Sequence, residues 1–180
     1  MTDTTEPGSV MDLLSKTSKP AGIVVALAAV AAGGYWFYRD AQQNAALRAE
    51  RQLYTAQAAL EQGNRPLAES DLQKLISTSA GTPSGIQAAA LLASLKYDEG
   101  KHAEGVALVE KALAKAPDHQ KAQLHALLAA GYEDQKKLAE AAVEFRKAAD
   151  ASPFELDKQK YLADAARALT TAGKTEEAKK

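Results

Sequence analysis

Four positions set the frame of this chain: Gly63, Gly100, Lys136 and Gly173, at successive spacings of 37, 36 and 37. Five places after each comes a small side chain, at Ala68, Gly105, Ala141 and Ala178, with the same spacings. Self-similarity at such a period means that one supersecondary unit has been copied along the chain. Between the turn positions the residues are mostly Ala, Leu, Gln, Glu and Lys, which favour helix. Alternating apolar runs and the Asn-Gly or Asp-Gly turns of β-hairpins are absent from the sequence. The predicted fold class is therefore all-α. Helix–turn–helix units stack into a solenoid, because one pair alone cannot bury its apolar face.

The first unit shows how such a pair is written. Ala49, Leu53, Ala56 and Leu60 recur at spacings of 4, 3 and 4 and mark one helical face. Gly63 ends that helix, and Pro66 restarts another in its first turn. Leu67, Leu72, Leu75 and Ile76 are expected to form the buried face of the returning helix. Ser77–Gly85, reading STSAGTPSG, is expected to be the longest loop. Small residues mark the closest approach of two helices, and Leu, Tyr and Phe fill the space between pairs. The recurring aromatics Tyr54, Tyr97, Tyr132, Phe145 and Tyr161 read as packing.

Ahead of the repeats lies an uncharged run from Pro20 to Tyr38. As a helix it would be about 28 Å long, close to the hydrocarbon thickness of a bilayer. Lys16 and Lys19 precede it; Tyr35, Trp36, Phe37 and Tyr38 close it before Arg39. That is the pattern of side chains at a membrane interface. The run reads as a single transmembrane helix at 20–38 after a mobile tail at 1–19. A cleaved signal peptide ending at Ala29-Val30-Ala31 and a buried core helix are the competing readings. Orientation stays open from charge: two cations lie on the near side, and Arg39, Arg48 and Arg51 on the far side. Residues 39–85 then form a membrane-proximal helix with a degenerate first repeat and linker, and 86–180 the remaining repeats.

Charge and composition narrow the chemistry. Removing Lys16 and Lys19 from the 22 basic residues, and Asp3, Glu6 and Asp12 from the 23 acidic ones, leaves 20 of each beyond the apolar run. No basic excess is available to hold a phosphate backbone, so nucleic acid is not an expected partner. With no cysteine there is no disulfide, iron–sulfur cluster, thiolate zinc site or thiol nucleophile. His119 and His125 are six apart, off the i, i+4 register of a metal pair. His102 follows a turn, and all three read as surface or turn histidines. Serine-nucleophile and phosphate-loop motifs are lacking, and Glu176-Glu177 reads as a solvated helix face. No enzyme activity, cofactor, metal or small-molecule substrate is expected.

The repeats resemble the tetratricopeptide family. Leu128, Ala129, Tyr132, Ala141, Phe145, Ala148 and Pro153 fall at its repeat positions 7, 8, 11, 20, 24, 27 and 32, counting from Ala122. Counting from Ile86, Leu92, Ala93, Gly105, Val109, Ala112 and Pro117 stand at corresponding places. The pair at 49–82 lacks the closing proline, and the unit at 159–180 stops within its second helix. The resemblance implies a protein-binding groove lined by the first helix of each pair. Carried over, its residues are Gln87, Ala90, Ser94, Tyr97 and Asp98, then Gln123, Ala126, Ala130, Glu133 and Asp134. The Lys and Asn pairs with which some members clamp a terminal carboxylate are missing.

An apolar run, an aromatic exit and a helical repeat domain together resemble the ancillary SecYEG translocon subunit family. That resemblance implies a bacterial inner-membrane protein with a periplasmic repeat domain, working as an adaptor beside the Sec translocon and its chaperones. Two other roles fit the same residues: a structural accessory subunit of a respiratory or photosynthetic membrane complex, and a secreted soluble repeat protein released by cleavage at Ala31.

Overall fold

A computed structural model describes the backbone of residues 10–178 and the side chains of residues 30–178. The chain divides into two compact units, Met1–Asn44 and Ala45–Lys180.

In the first unit the backbone is helical from Val10, where helix α1 (Val10–Glu61) begins. Helix therefore starts inside the stretch expected to be a tail. Residues 10–19 contain no Gly or Pro and include Met, Leu and Lys, which favour helix. The tail reading of residues 1–9, and the interface reading of Lys16 and Lys19, lie outside the described residues, as do the first ten side chains of the 20–38 run. Among the described residues, no helix is long and apolar enough to cross a membrane. Tyr35, Trp36, Phe37 and Tyr38 are all exposed. Tyr38 Oη accepts a hydrogen bond from Gln42 Nε2 (2.7 Å), and Asp40 Oδ2 one from Asn44 Nδ2 (2.9 Å).

The second unit is helical throughout its described length. After α1 come α2 (Arg65–Ser79), α3 (Pro83–Asp98), α4 (His102–Leu113), α5 (Asp118–Asp134), α6 (Leu138–Ala151), α7 (Glu155–Thr171) and the single turn α8 (Thr175–Ala178). Packing runs between consecutive helices from α2 to α8, with α3 also against α5. This is the pairwise stack that the repeat predicted.

The four frame positions are the turns. Gly63, Gly100, Lys136 and Gly173 have φ of 74°, 75°, 62° and 78°. This is the left-handed conformation that ends many helices. Each turn closes with the same two bonds. At Gly100 its own N–H donates to the Tyr97 carbonyl (2.9 Å) and that of Lys101 to the Lys96 carbonyl (2.8 Å). The pattern recurs at Gly63 with Asn64, Lys136 with Lys137, and Gly173 with Lys174. The residue after each turn caps the next helix. Asn64 does so with its side chain, accepting from the Leu67 N–H (3.3 Å), whereas Lys101 and Lys137 provide no side-chain cap.

The small residues stand at the helix crossings. Ala68 and Ala141 are wholly buried. At Gly105 a Cβ would run into the Tyr97 ring and lie 2.9 Å from the Ala93 carbonyl oxygen. At the equivalent crossing one repeat on, Ala141 stands in place of Gly105 and Glu133 in place of Tyr97.

Three expectations are corrected here. Ser77–Gly85 is not a long loop: α2 runs to Ser79 and α3 opens at Pro83. The Ser and Thr hydroxyls belong to helix ends. Ser77 and Thr78 donate back to the Lys74 carbonyl. Thr82 caps α3 by accepting from the Gly85 N–H (3.1 Å). Leu67, expected in the buried face, is 47% exposed, because the returning helix turns Ala68, Leu72 and Leu75 inward. Tyr54 is 73% exposed, so one of the five aromatics is not packing; Leu53 and Ala56 hold the buried side of that helix.

Candidate functional site

The first helices of the pairs (the end of α1, then α3 and α5) bring three of the ten predicted groove residues, Gln87, Ala90 and Gln123, to the recesses of one face. Two recesses indent it. One, of about 260 Å³, lies between α3 and α5 and is walled by Ile86, Gln87, Ala90, Gln120, Gln123, Leu124 and Leu127. The other, of about 470 Å³, lies between α1 and the start of α3 and is lined by Glu50, Leu53, Tyr54, Gln57, Ser84 and Gln87, among others. Gln87 lines both.

Alternation along α3 produces this arrangement. Ile86, Ala88, Ala89, Leu92 and Ala93 turn into the core, which leaves Gln87 exposed and Ala90 half-buried on the open side. The same holds for α5, where Ala122, Leu124 and Leu128 are buried beside an exposed Gln123. Gln120 adds a buried side-chain oxygen that receives no hydrogen bond from the protein. A neutral amide both donates and accepts, so Gln57, Gln87, Gln120 and Gln123 form a set suited to the polar groups of a peptide backbone.

Of the predicted groove residues, Gln87, Ala90 and Gln123 meet in one recess. Others are engaged elsewhere. Ser94 Oγ donates to the Ala90 carbonyl of its own helix (3.2 Å). Asp98 sits 3.7 Å from Arg65, and Asp134 lies 3.3 Å from His102 Nδ1. These two pairs are the same contact one repeat apart, from two residues past one turn to two residues before the next. Glu133 accepts from both arms of Arg167 (2.9 and 3.3 Å), and the pair raises the Arg167 pKa. Tyr97 packs between Gly105 and Gly131 and stacks on His102, with ring centroids 6.1 Å apart. Burial, helped by the nearby Asp134, pushes its hydroxyl pKa well above the usual tyrosine value.

Two charge clusters brace the stack. Lys96, 7% exposed, donates to Glu69 Oε2 (2.6 Å) and Glu99 Oε2 (3.2 Å), joining α2 to α3. The Glu69 hydrogen bond is the main reason its pKa is raised against the effect of burial. Lys101, then Glu69 and Lys96, pull the Glu99 carboxyl down to about 2. In the next pair the buried Glu144 lies 2.7 Å from both His125 Nδ1 and Lys147 Nζ. His125 is thus a bracing residue, not a surface one as expected: its place in α5 faces α6 and its acid. His119 is exposed and His102 half-buried. Among the described residues, no cluster has the donors for a metal ion.

Glu50, Tyr54, Gln57 and Gln120 line the face without standing out in the sequence as groove residues. Two of them lie within reach of the repeat: moving Gln87 back by 37 positions gives Glu50, and moving Ser94 back gives Gln57. The degenerate first pair hides that register.

No protein-family profile and no curated protein matches the chain. Solved structures do. MamA from Desulfovibrio magneticus RS-1 (residues 41 to the end) superposes with a TM-score of 0.57 at 18% identity, over 72% of this chain and 69% of that one. Another MamA crystal structure gives 0.60 at 16%, covering 72% and 71%. A Podosopora anserina putative kinesin light chain with nearly identical tetratricopeptide-like repeats gives 0.59 at 19%, covering 73% and 70%. At these identities the likeness concerns the fold: the chain forms a tetratricopeptide-like helical solenoid.

Proposed function

We propose that this chain is a non-enzymatic scaffold that holds a peptide segment of a protein partner along the face of its first helices. The observation that carries this reading is the pair of recesses sharing Gln87, walled by carbon from Leu53, Ile86, Leu124 and Leu127 and edged by amides. Carbon walls give an extended segment a place for its side chains, and the amides answer its backbone. The fold supports the reading, because stacked pairs present a continuous surface.

In the same proposal residues 20–38 tether the scaffold to a bilayer. The grounds are their uncharged run and the exposed rings Tyr35, Trp36, Phe37 and Tyr38, which suit a membrane interface. Such a tether raises the local concentration of the binding face near membrane partners. The setting we propose is a bacterial inner membrane with the repeats in the periplasm, beside the Sec translocon or another multi-subunit complex.

Co-purification in mild detergent tests this. The native chain is expected to retain a partner that the Gln87→Glu/Gln123→Glu chain loses, with helicity unchanged by circular dichroism. Equal retention by both chains would remove the face from the mechanism. Sec subunits in the eluate support the translocon setting, and a fixed ratio to another complex supports an accessory subunit. Flotation with phospholipid vesicles tests the tether: the full chain is expected to float and residues 39–180 to stay behind.

A further inference from the structure

A third recess, of about 310 Å³, opens elsewhere, among α2, α3 and α4. None of its lining residues belongs to the two recesses above. Ile76, Ala89, Leu108 and Ala112 give it carbon walls, and Lys111 and Lys115 stand at its edge. The two lysines are exposed and one helical turn apart along α4 and its end. Among the described residues, neither is paired with a carboxylate.

Comparison with the next repeat shows what this place lacks. Thirty-six positions on, Ala89 becomes His125, Leu108 becomes Glu144 and Lys111 becomes Lys147. There Glu144 is 8% exposed and lies 2.7 Å from both His125 and Lys147. An imidazole occupies the room, and an internal carboxylate neutralises the lysine. In the α3–α4 pair a methyl replaces the imidazole and a leucine replaces the acid. The room stays open, and no buried carboxylate stands beside the lysine.

We infer that this recess binds an acidic peptide segment of a partner protein: a large apolar side chain enters the space held by His125 one repeat later, and a flanking carboxylate meets Lys111 and Lys115. The length of the site favours a peptide over a long acyl chain. Leu108 to Lys115 span about 10 Å along α4 and the turn that ends it, the reach of one anchor residue and its neighbours. Lys115 adds a second cation where the next repeat has Ala151. The site stands independently of the amide-edged face.

The test uses the full-length chain in phospholipid nanodiscs and a fluorescent dodecapeptide with a central leucine flanked by two glutamates on each side. Anisotropy is expected to show saturable binding. Replacing the glutamates by glutamines should weaken it about tenfold, as two exposed ion pairs at the upper end of their range allow. Lys111→Gln/Lys115→Gln should weaken the acidic peptide to the level of the glutamine peptide and leave the latter unchanged. Ala89→His/Leu108→Glu, which copies the pair already accommodated one repeat on, should abolish binding of both. Absence of saturable binding, equal affinity for the acidic and glutamine peptides, or indifference to the lysine variant each overturns the inference. So does decanoate binding at these lysines without peptide binding, which would assign the recess to a lipid-type carboxylate.

Discussion

Around α2 and α3 the core is made of leucine: Leu53, Leu72, Leu75, Leu92 and Leu95 are buried with three alanines. From α5 to α7 it is made of alanine, eight of them beside Phe145, Tyr161 and Leu169. The backbone trace of a helix pair serves both cases, but the source of cohesion differs. Leucines fill the space between helices with side-chain volume, so removing atoms opens a cavity. Alanines let the helices come close enough for main chain to pack on main chain, so there is little to remove and no room to add.

The harshest break is expected on the alanine side. Ala141→Glu places a charge at a wholly buried crossing, and a buried charge without a partner is costly. The variant should abolish cooperative unfolding in urea monitored by circular dichroism. Leu72→Ala breaks the leucine side and should cost about 3–5 kcal/mol by the same measurement, since Leu72 is fully buried. If Leu72→Ala cost less than about 1 kcal/mol, the leucine side would be collapsing into its own cavity and the comparison would fail.

A third prediction concerns the charges bracing the leucine side. Glu99 is held at about 2, against an ordinary 4.5, chiefly by Lys101. A carboxyl lowered on folding stabilises the fold above its unfolded pKa, and that stability is lost as pH falls from about 4.5 through about 2. Glu99→Gln should therefore flatten the melting temperature against pH across that window and leave the slope above about pH 5 unchanged. An unchanged acid limb would mean that other carboxyls drive it. The smallest expected effect is a gain. Lys136 is a non-glycine residue at φ 62°, and Lys136→Gly should relieve that strain and add about 0.5–1 kcal/mol in the same urea titration.

Legibility in the sequence followed how local each determinant is. The turns and crossings were readable because a left-handed turn needs glycine or a tolerant substitute, and a close crossing needs a small side chain, wherever they occur. The same register put Gln87, Ala90 and Gln123 together in one recess. What composition obscured were residues whose role is set by a neighbouring helix. Ser77, Thr78 and Thr82 look like loop until their hydroxyls are seen bonded to helix ends. Leu67 looks like core until Ala68 is seen to take the crossing. His125 gains its role from Glu144, 19 residues away, and Glu133 from Arg167 in the following pair. Pairings of that kind leave no periodic mark.

The four turns have one more consequence. Each closes through hydrogen bonds between its own main-chain atoms and asks nothing of the side chains in adjoining pairs. A joint of that kind is portable. A helix pair bounded by two such joints can be duplicated, lost or exchanged in evolution with only its flanking surfaces to retune. Lys136, at φ 62°, forms the same joint without glycine.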